Sequence, residues 1–281
     1  TLARIDAVPA LVWPRLSDAG RKMWWNFLPA AAGAGGMQIN LLIDLILASL
    51  LPVGAISWLY YADRVAQLPL GIVGIALGTA LLPRLSAAEA ASRPAEVRDS
   101  LAEAVGLAGF LVIPAVAGLV LCGLSIMQGL FVYGAFDESD AQMAALALTA
   151  YGCGLPGFVM VKILQTAFYA AGQPGIVLKV SLATVAINVT GSLLLMPVLG
   201  HVGLALATAI SGTAAAAIMV VLLARQNRLS AAFLPGLGRV IVATAVMAAA
   251  VKSLQYSLDI VLHVSAAFDL VIIVGGGGAI Y

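Results

Sequence analysis

The chain has 281 residues, of which 62% are hydrophobic and 10% charged, with a net charge of +1 and a mean hydropathy of +1.07. Soluble domains average roughly 45–50% apolar and 25% charged residues, so this composition excludes a water-soluble globular domain and points to a polytopic membrane protein. The near-neutral balance leaves no basic footprint for nucleic acid.

A helix needs ~20 apolar residues to cross a hydrocarbon core of roughly 30 Å. Runs of that kind fall at 29–51, 57–82, 106–128, 143–165, 176–197, 201–224, 239–258 and 262–281. They predict an all-α, polytopic membrane helix bundle of about eight transmembrane helices. Before the first run, residues 1–28 set Trp13, Trp24 and Trp25 among Arg4, Arg15, Arg21 and Lys22. Aromatic and basic residues gather at headgroup level, so this segment reads as an interfacial helix or a protein-binding arm. No signal-peptide pattern opens the chain. Thr1 is not a start methionine and the last run is still apolar at Tyr281, so the expectation is an internal fragment of a longer protein.

Cytoplasmic loops carry an excess of Lys and Arg. Arg4 to Lys22, then Arg84, Arg93 and Arg98, then Arg225, Arg228 and Arg239 alternate with an uncharged 52–56 turn, an acidic Asp137–Asp140 loop and a turn holding only His201. The alternation fits eight spans, with 83–105 and 225–238 inside and 129–142 outside; Lys252, near an outer end, is an exception. The mixed-charge segment 83–105 is expected as a solvated amphipathic helix along the inner face.

Charged and polar residues inside spans are costly at bilayer depth, at least about 2.5–3.5 kcal/mol on insertion scales, and so mark sites of function. In the first span, Asn40 and Asp44 share a helix face at i,i+4. Asp44 either faces the bundle as a protonated or hydrogen-bonded contact or binds a cation. In the second span, LYYADRVAQLPLGIVGIALG over Leu59–Gly78, Asp63 and Arg64 point about 100° apart, whereas Arg64 and Gln67 share a face. A guanidinium presents a fork of donors suited to phosphate, which makes Arg64 the anion-binding candidate against a structural salt bridge to another helix. Pro69 frees a carbonyl and can kink this helix, and Gly71, Gly74 and Gly78 permit close packing. Lys162 either snorkels to the inner interface or enters the cavity. Asn188 and Ser192 are i,i+4, and Thr208 and Ser211 follow in the sixth span; hydroxyls and amides in such places usually serve packing seams. His201 and His263 read as interfacial, and Cys122 and Cys153, without CxxC spacing, as small core residues. No motif of a catalytic site is present, so an enzyme is not expected.

Gln38–Ser49, then ISWLYYADRVAQLPLGIVGIALGTALLPRLS over Ile56–Ser86, closely resemble the MurJ (MviN) lipid II flippases of the multidrug/oligosaccharidyl-lipid/polysaccharide (MOP) exporter superfamily. Leu148–Ser181 resembles the same family's following helices, and the resemblance thins after about residue 230. It implies a segment at 1–28, the second six-helix lobe at 29–225, and two C-terminal transmembrane helices at 226–281, with the first lobe outside this sequence. It implies a bacterial inner-membrane transporter that flips undecaprenyl-linked lipid II from the inner to the outer leaflet by alternating access. Membrane lipids and cell-wall synthesis proteins are the other implied partners. Arg64 matches the family's cavity arginine, with Asp63 and Gln67 beside it as substrate-binding residues; Gln67 stands where some relatives have glutamate. Asp44, Asn188, Ser192 and Thr208 resemble a sodium site of some relatives, with Ser192 replacing an acidic residue; no other cofactor is implied. The rival readings are another exporter of this superfamily, such as a lipid-linked oligosaccharide flippase or a multidrug/cation antiporter, and a non-transporting scaffold for cell-wall assembly.

The charge pattern makes a direct topological prediction. In a cysteine-free full-length parent, a cysteine at Ser139 is labelled from outside intact cells by an impermeant thiol reagent, and one at Ser92 only after permeabilisation. The reverse labelling overturns the assigned orientation.

Overall fold

The computed structural model describes residues 18–229, 234–261 and 274, and every described helix is α-helical apart from one π-helical segment. The helices are α1 (Asp18–Ala48), α2 (Ala55–Pro69), a π-helical segment (Leu70–Ile75), α3 (Ala76–Ala90), α4 (Pro94–Phe131), α5 (Glu138–Ala170), α6 (Pro174–Leu199), α7 (His201–Arg225) and α8 (Leu234–Val261). Among the described residues, six helical stretches are long and apolar enough to cross a membrane: Ala55–Ala90, Pro94–Phe131, Glu138–Ala170, Pro174–Leu199, His201–Arg225 and Gly238–Gln255. Residues 29–48 of the first expected span lie in α1 and 49–51 in the turn after it; residues 1–17 and, apart from 274, the span expected at 262–281 lie outside the described residues.

Alpha5 is the centre of the bundle. It packs against α4 and α7 and along the whole α2–π–α3 path, while α6 lies between α7 and α1, and α8 rests on α4. Hydrocarbon supplies no hydrophobic drive between helices, so close approach of backbones has to hold them together. The α5–α7 seam shows how: a Cβ added at Gly154 would lie 2.6 Å from Ala209 Cα, and one at Gly157 would lie 2.7 Å from Thr213 Cα. Gly203 is as tight, facing the Leu195 backbone of α6 across the short turn at Gly200. Phe168, Leu148, Leu155, Ile163, Leu204 and Leu223 fill the space around these contacts and are almost fully buried.

The second expected span is longer than the sequence indicates. Alpha2, the π-helical segment and α3 follow one another without a break in the helical path. Pro69 has no N–H to give the Val65 carbonyl, and its ring crowds that turn. The ladder widens into π-helical turns directly after it, the form in which a helix absorbs such a mismatch.

Residues 83–105 do not form a separate helix along the inner face. Residues 83–90 complete α3, residues 94–105 begin α4, and a turn at 91–93 joins them, with Ser92 at φ 54° and Pro94 in the first turn of α4. The amphipathic pattern belongs to a helical hairpin: Leu85, Ala88, Val97 and Leu101 are buried, and Arg84 pairs with Glu103 across it at 3.1 Å. Glu89 at the end of α3 also pairs with Arg228 beyond α7.

On the other side of the bundle, Asp137 caps α5, accepting from the backbone N–H groups of Ser139 (2.8 Å) and Asp140 (3.0 Å), while Asp140 accepts from the Asp137 N–H (3.1 Å). The backbone N–H of Asp140, then the Ser139 hydroxyl, hold the Asp137 carboxyl below the usual carboxylate range, so the cap stays ionised in mildly acidic medium. Asp140 also accepts from Trp58 Nε1 at 2.7 Å, tying α2 to α5. Trp58 lies over Gly54, which has φ 102° and whose added Cβ would meet the indole at 2.6 Å.

The seam gives a paired prediction. Gly157→Ala forces a methyl against the Thr213 backbone and should lower the stability of the purified parent by about 1–3 kcal/mol in thermal unfolding. Gly118→Ala, on α4 with nothing within 4 Å, should be neutral or raise it by up to about 1 kcal/mol. Equal behaviour of the two variants rules out backbone packing as the cause.

Candidate functional site

Among the described residues, two polar clusters lie within the expected spans. The first joins three helices. Asp44 and Asn40 project from α1, Asn188 and Ser192 from α6, and Thr208 from α7. Asn188 and Ser192 are completely buried. Asn188 Nδ2 donates to Thr208 Oγ1 at 3.0 Å, and Ser192 Oγ donates to Asn188 Oδ1 at 3.0 Å. Thr208 Oγ1 lies 3.3 Å from Asp44 Oδ2 and 3.1 Å from the Leu204 carbonyl, one proton serving both acceptors. Asn40 Nδ2 donates to Asp44 Oδ2 at 3.3 Å.

The four residues singled out in sequence, Asp44, Asn188, Ser192 and Thr208, are therefore brought together, and Asn40 joins them. Asp44 Oδ1 and Asn40 Oδ1 are both buried and lack a hydrogen-bond partner among the described residues. An orphaned buried acceptor is costly. Two of them one helical turn apart, one on a carboxylate, form an oxygen-rich corner that suits a hard cation. The donor set thus fits sodium.

The second cluster is on α2. Arg64 is exposed on the bundle surface and its guanidinium lies over the Tyr60 ring, 4.9 Å from the centroid. Arg64 Nη1 donates to Gln67 Oε1 at 3.4 Å, while Gln67 Nε2 donates to Asp63 Oδ2. Asp63 and Arg64 make no direct ion pair among the described residues, in keeping with their angular separation on the helix. The Gln67 amide bridges the two, its oxygen accepting from the cation and its N–H group donating to the anion.

The sequence reading missed two features. Tyr60 lies one turn before Arg64, an i,i+4 spacing that was visible but unweighted. His201 is buried rather than interfacial: its Nε2 is 3.0 Å from the Met143 carbonyl and its ring packs edge-on to Trp58 at 5.0 Å. Only the approach of α5 and α2 to the α7 N-terminus explains that burial. Lys162 is half-buried on α5, its backbone carbonyl 3.2 Å from the position a Cβ would take at Gly78.

A family model described as lipid II flippase MurJ matches residues 2–269. The chain belongs to the MurJ family. Among its relatives, a probable lipid II flippase MurJ of Rhizobium tropici is 36% identical over 219 residues, covering 78% of this chain and 41% of the relative. The lipid II flippase MurJ of Burkholderia cenocepacia is 33% identical over 213 residues, covering 73% and 40%. This MurJ-family chain thus spans less than half the length of these curated relatives. A solved lipid II flippase MurJ in an inward closed conformation superposes with a TM-score of 0.75 at 22% identity, over 88% of this chain and 50% of that one. An outward-facing multidrug-resistance MATE transporter of the MOP superfamily superposes at 0.60 and 14% identity, over 90% and 61%. At those identities the structural matches establish the fold alone: a helical bundle shared with about half of each of these longer chains.

The buried network predicts an asymmetric response. Asn188→Leu removes the donor to Thr208 and the acceptor for Ser192 together, leaving the buried Ser192 hydroxyl without that acceptor, and should destabilise the purified protein by about 1–3 kcal/mol. Ser192→Ala, which removes one donor at the end of the chain of bonds, should cost less. Thermal unfolding of both variants checks the order.

Proposed function

We propose that the full-length parent flips lipid II across the bacterial cytoplasmic membrane, with this chain supplying one lobe and Arg64 the diphosphate contact. The observation that carries the reading is a guanidinium inside a membrane span, exposed on the lobe surface and held by a neutral amide instead of a carboxylate. Gln67 takes one of its N–H donors, and a guanidinium fork matches phosphate oxygens in pairs. The polyprenyl tail needs no polar contact and stays in hydrocarbon while the head group crosses. Rocking of the two lobes, with the site open to one side at a time, is the movement this architecture supports.

We propose further that Asp44, Asn40, Asn188, Ser192 and Thr208 hold a sodium ion. Bound there, the ion supplies the positive charge that a carboxylate in hydrocarbon otherwise lacks. Asp44 contributes the single formal charge and the neutral oxygens complete the shell.

Two tests separate these readings from their rivals. Arg64→Ala in the full-length parent should abolish rescue of a lipid II flippase-depleted strain at normal membrane abundance, and Arg64→Lys should restore it only partly. Full rescue by the alanine variant favours a scaffold role. Asp44→Asn preserves shape and hydrogen bonding but removes the charge, so it should abolish sodium-stimulated transport in proteoliposomes. If wild-type transport ignores sodium and the variant matches it, Asp44 serves packing alone.

A further inference from the structure

Arg64 is placed by a line of aromatic rings that starts outside its own turn of helix. Phe131 at the end of α4 and Phe136 in the following loop both pack on Tyr61, with centroids 4.6 and 5.1 Å away. Tyr61 meets Tyr60 edge-on at 5.7 Å and 76°. The Tyr60 ring then lies beneath the Arg64 guanidinium at 4.9 Å. From the other side of the same face, Gln67 accepts from Arg64 at 3.4 Å while its N–H group occupies Asp63.

A long arginine side chain on an exposed helix face has many rotamers, and each must be frozen when it binds an anion. The nearest alternative partner is the adjacent Asp63, whose capture of the guanidinium would cancel the charge. The ring on one side and the amide on the other remove both problems. The ring's negative face attracts the cation without using any of its N–H donors. The amide uses one donor of Arg64 and keeps Asp63 engaged elsewhere. The remaining donors stay available.

We propose that Tyr60 is a positioning residue for Arg64, with the Tyr61–Phe131–Phe136 cluster fixing the ring and Gln67 completing the clamp, so that the guanidinium is presented preformed to a diphosphate. This rests on Arg64 being the diphosphate contact. What is required of Tyr60 is its aromatic face; its hydroxyl is dispensable.

The experiment uses the purified full-length parent in detergent and farnesyl diphosphate as the probe, with farnesol as the phosphate-free control. Tyr60→Leu should weaken farnesyl diphosphate binding about fivefold, the scale of a partly exposed cation–π contact, and leave farnesol binding unchanged. Tyr60→Phe, which keeps the ring, should bind as the wild type does. A residue that only supports the fold would lower the melting temperature in both variants without separating the two ligands. Wild-type diphosphate affinity in Tyr60→Leu, with binding lost in Arg64→Ala, overturns the positioning role and leaves the Arg64 contact intact. Wild-type affinity in Arg64→Ala overturns the contact itself and the positioning role with it.

Discussion

A polar side chain in hydrocarbon has no water to fall back on, and the arrangement of this lobe follows from where that constraint is met. Asp44, Asn40, Asn188, Ser192 and Thr208 lie on three helices, and each side chain has at least one polar partner among the others. Moving α6 or α1 away from α7 would strand several of them at once. The network therefore specifies which helices are neighbours more sharply than apolar packing, since in lipid one apolar face serves as well as another. It is also incomplete, with two oxygens unpaired among the described residues.

The α2–π–α3 path meets the same constraint differently. Arg64 and Gln67 are left exposed on the surface of the bundle, with Asp63 half-buried beside them. Their mutual bonds and the Tyr60 ring limit what they seek from solvent or substrate without removing it. Just beyond, Pro69 and the π-helical turns change the helix register. Gly74 and Gly78 restore close contact with α5 at Val159 and the Lys162 carbonyl. The segment bearing the anion-binding candidate is thus clamped at both ends, by Trp58 and Asp140 on one side and by the glycine seam on the other.

Taken residue by residue, much of the site was legible before the helices were placed. Charge at bilayer depth is so costly that Asp44, Asp63 and Arg64 identified themselves by position alone. Their i,i+3 and i,i+4 partners, Asn40 and Gln67, followed from helix geometry. The segment 83–105 misled because an amphipathic stripe looks the same whether its apolar face meets a headgroup layer or a second helix; the Arg84–Glu103 pair shows it is the latter. His201 misled because a single histidine near a span end carries no sign of what packs over it.

The sequence by itself determined an all-helical membrane bundle, the position of most spans, and the residues that bear charge within them. Those properties depend on local hydropathy and helical period, which neighbouring residues fix. Tertiary structure alone decided that Asn188 and Thr208 close on Asp44 across 144 and 164 positions of chain, and that two oxygens there remain unpaired among the described residues. It also decided that the ring under Arg64 is braced by Phe131 and Phe136. Long-range contacts of that kind depend on which helix faces meet, and in lipid that choice rests on glycine-sized gaps and a few polar bonds that no local window of sequence contains.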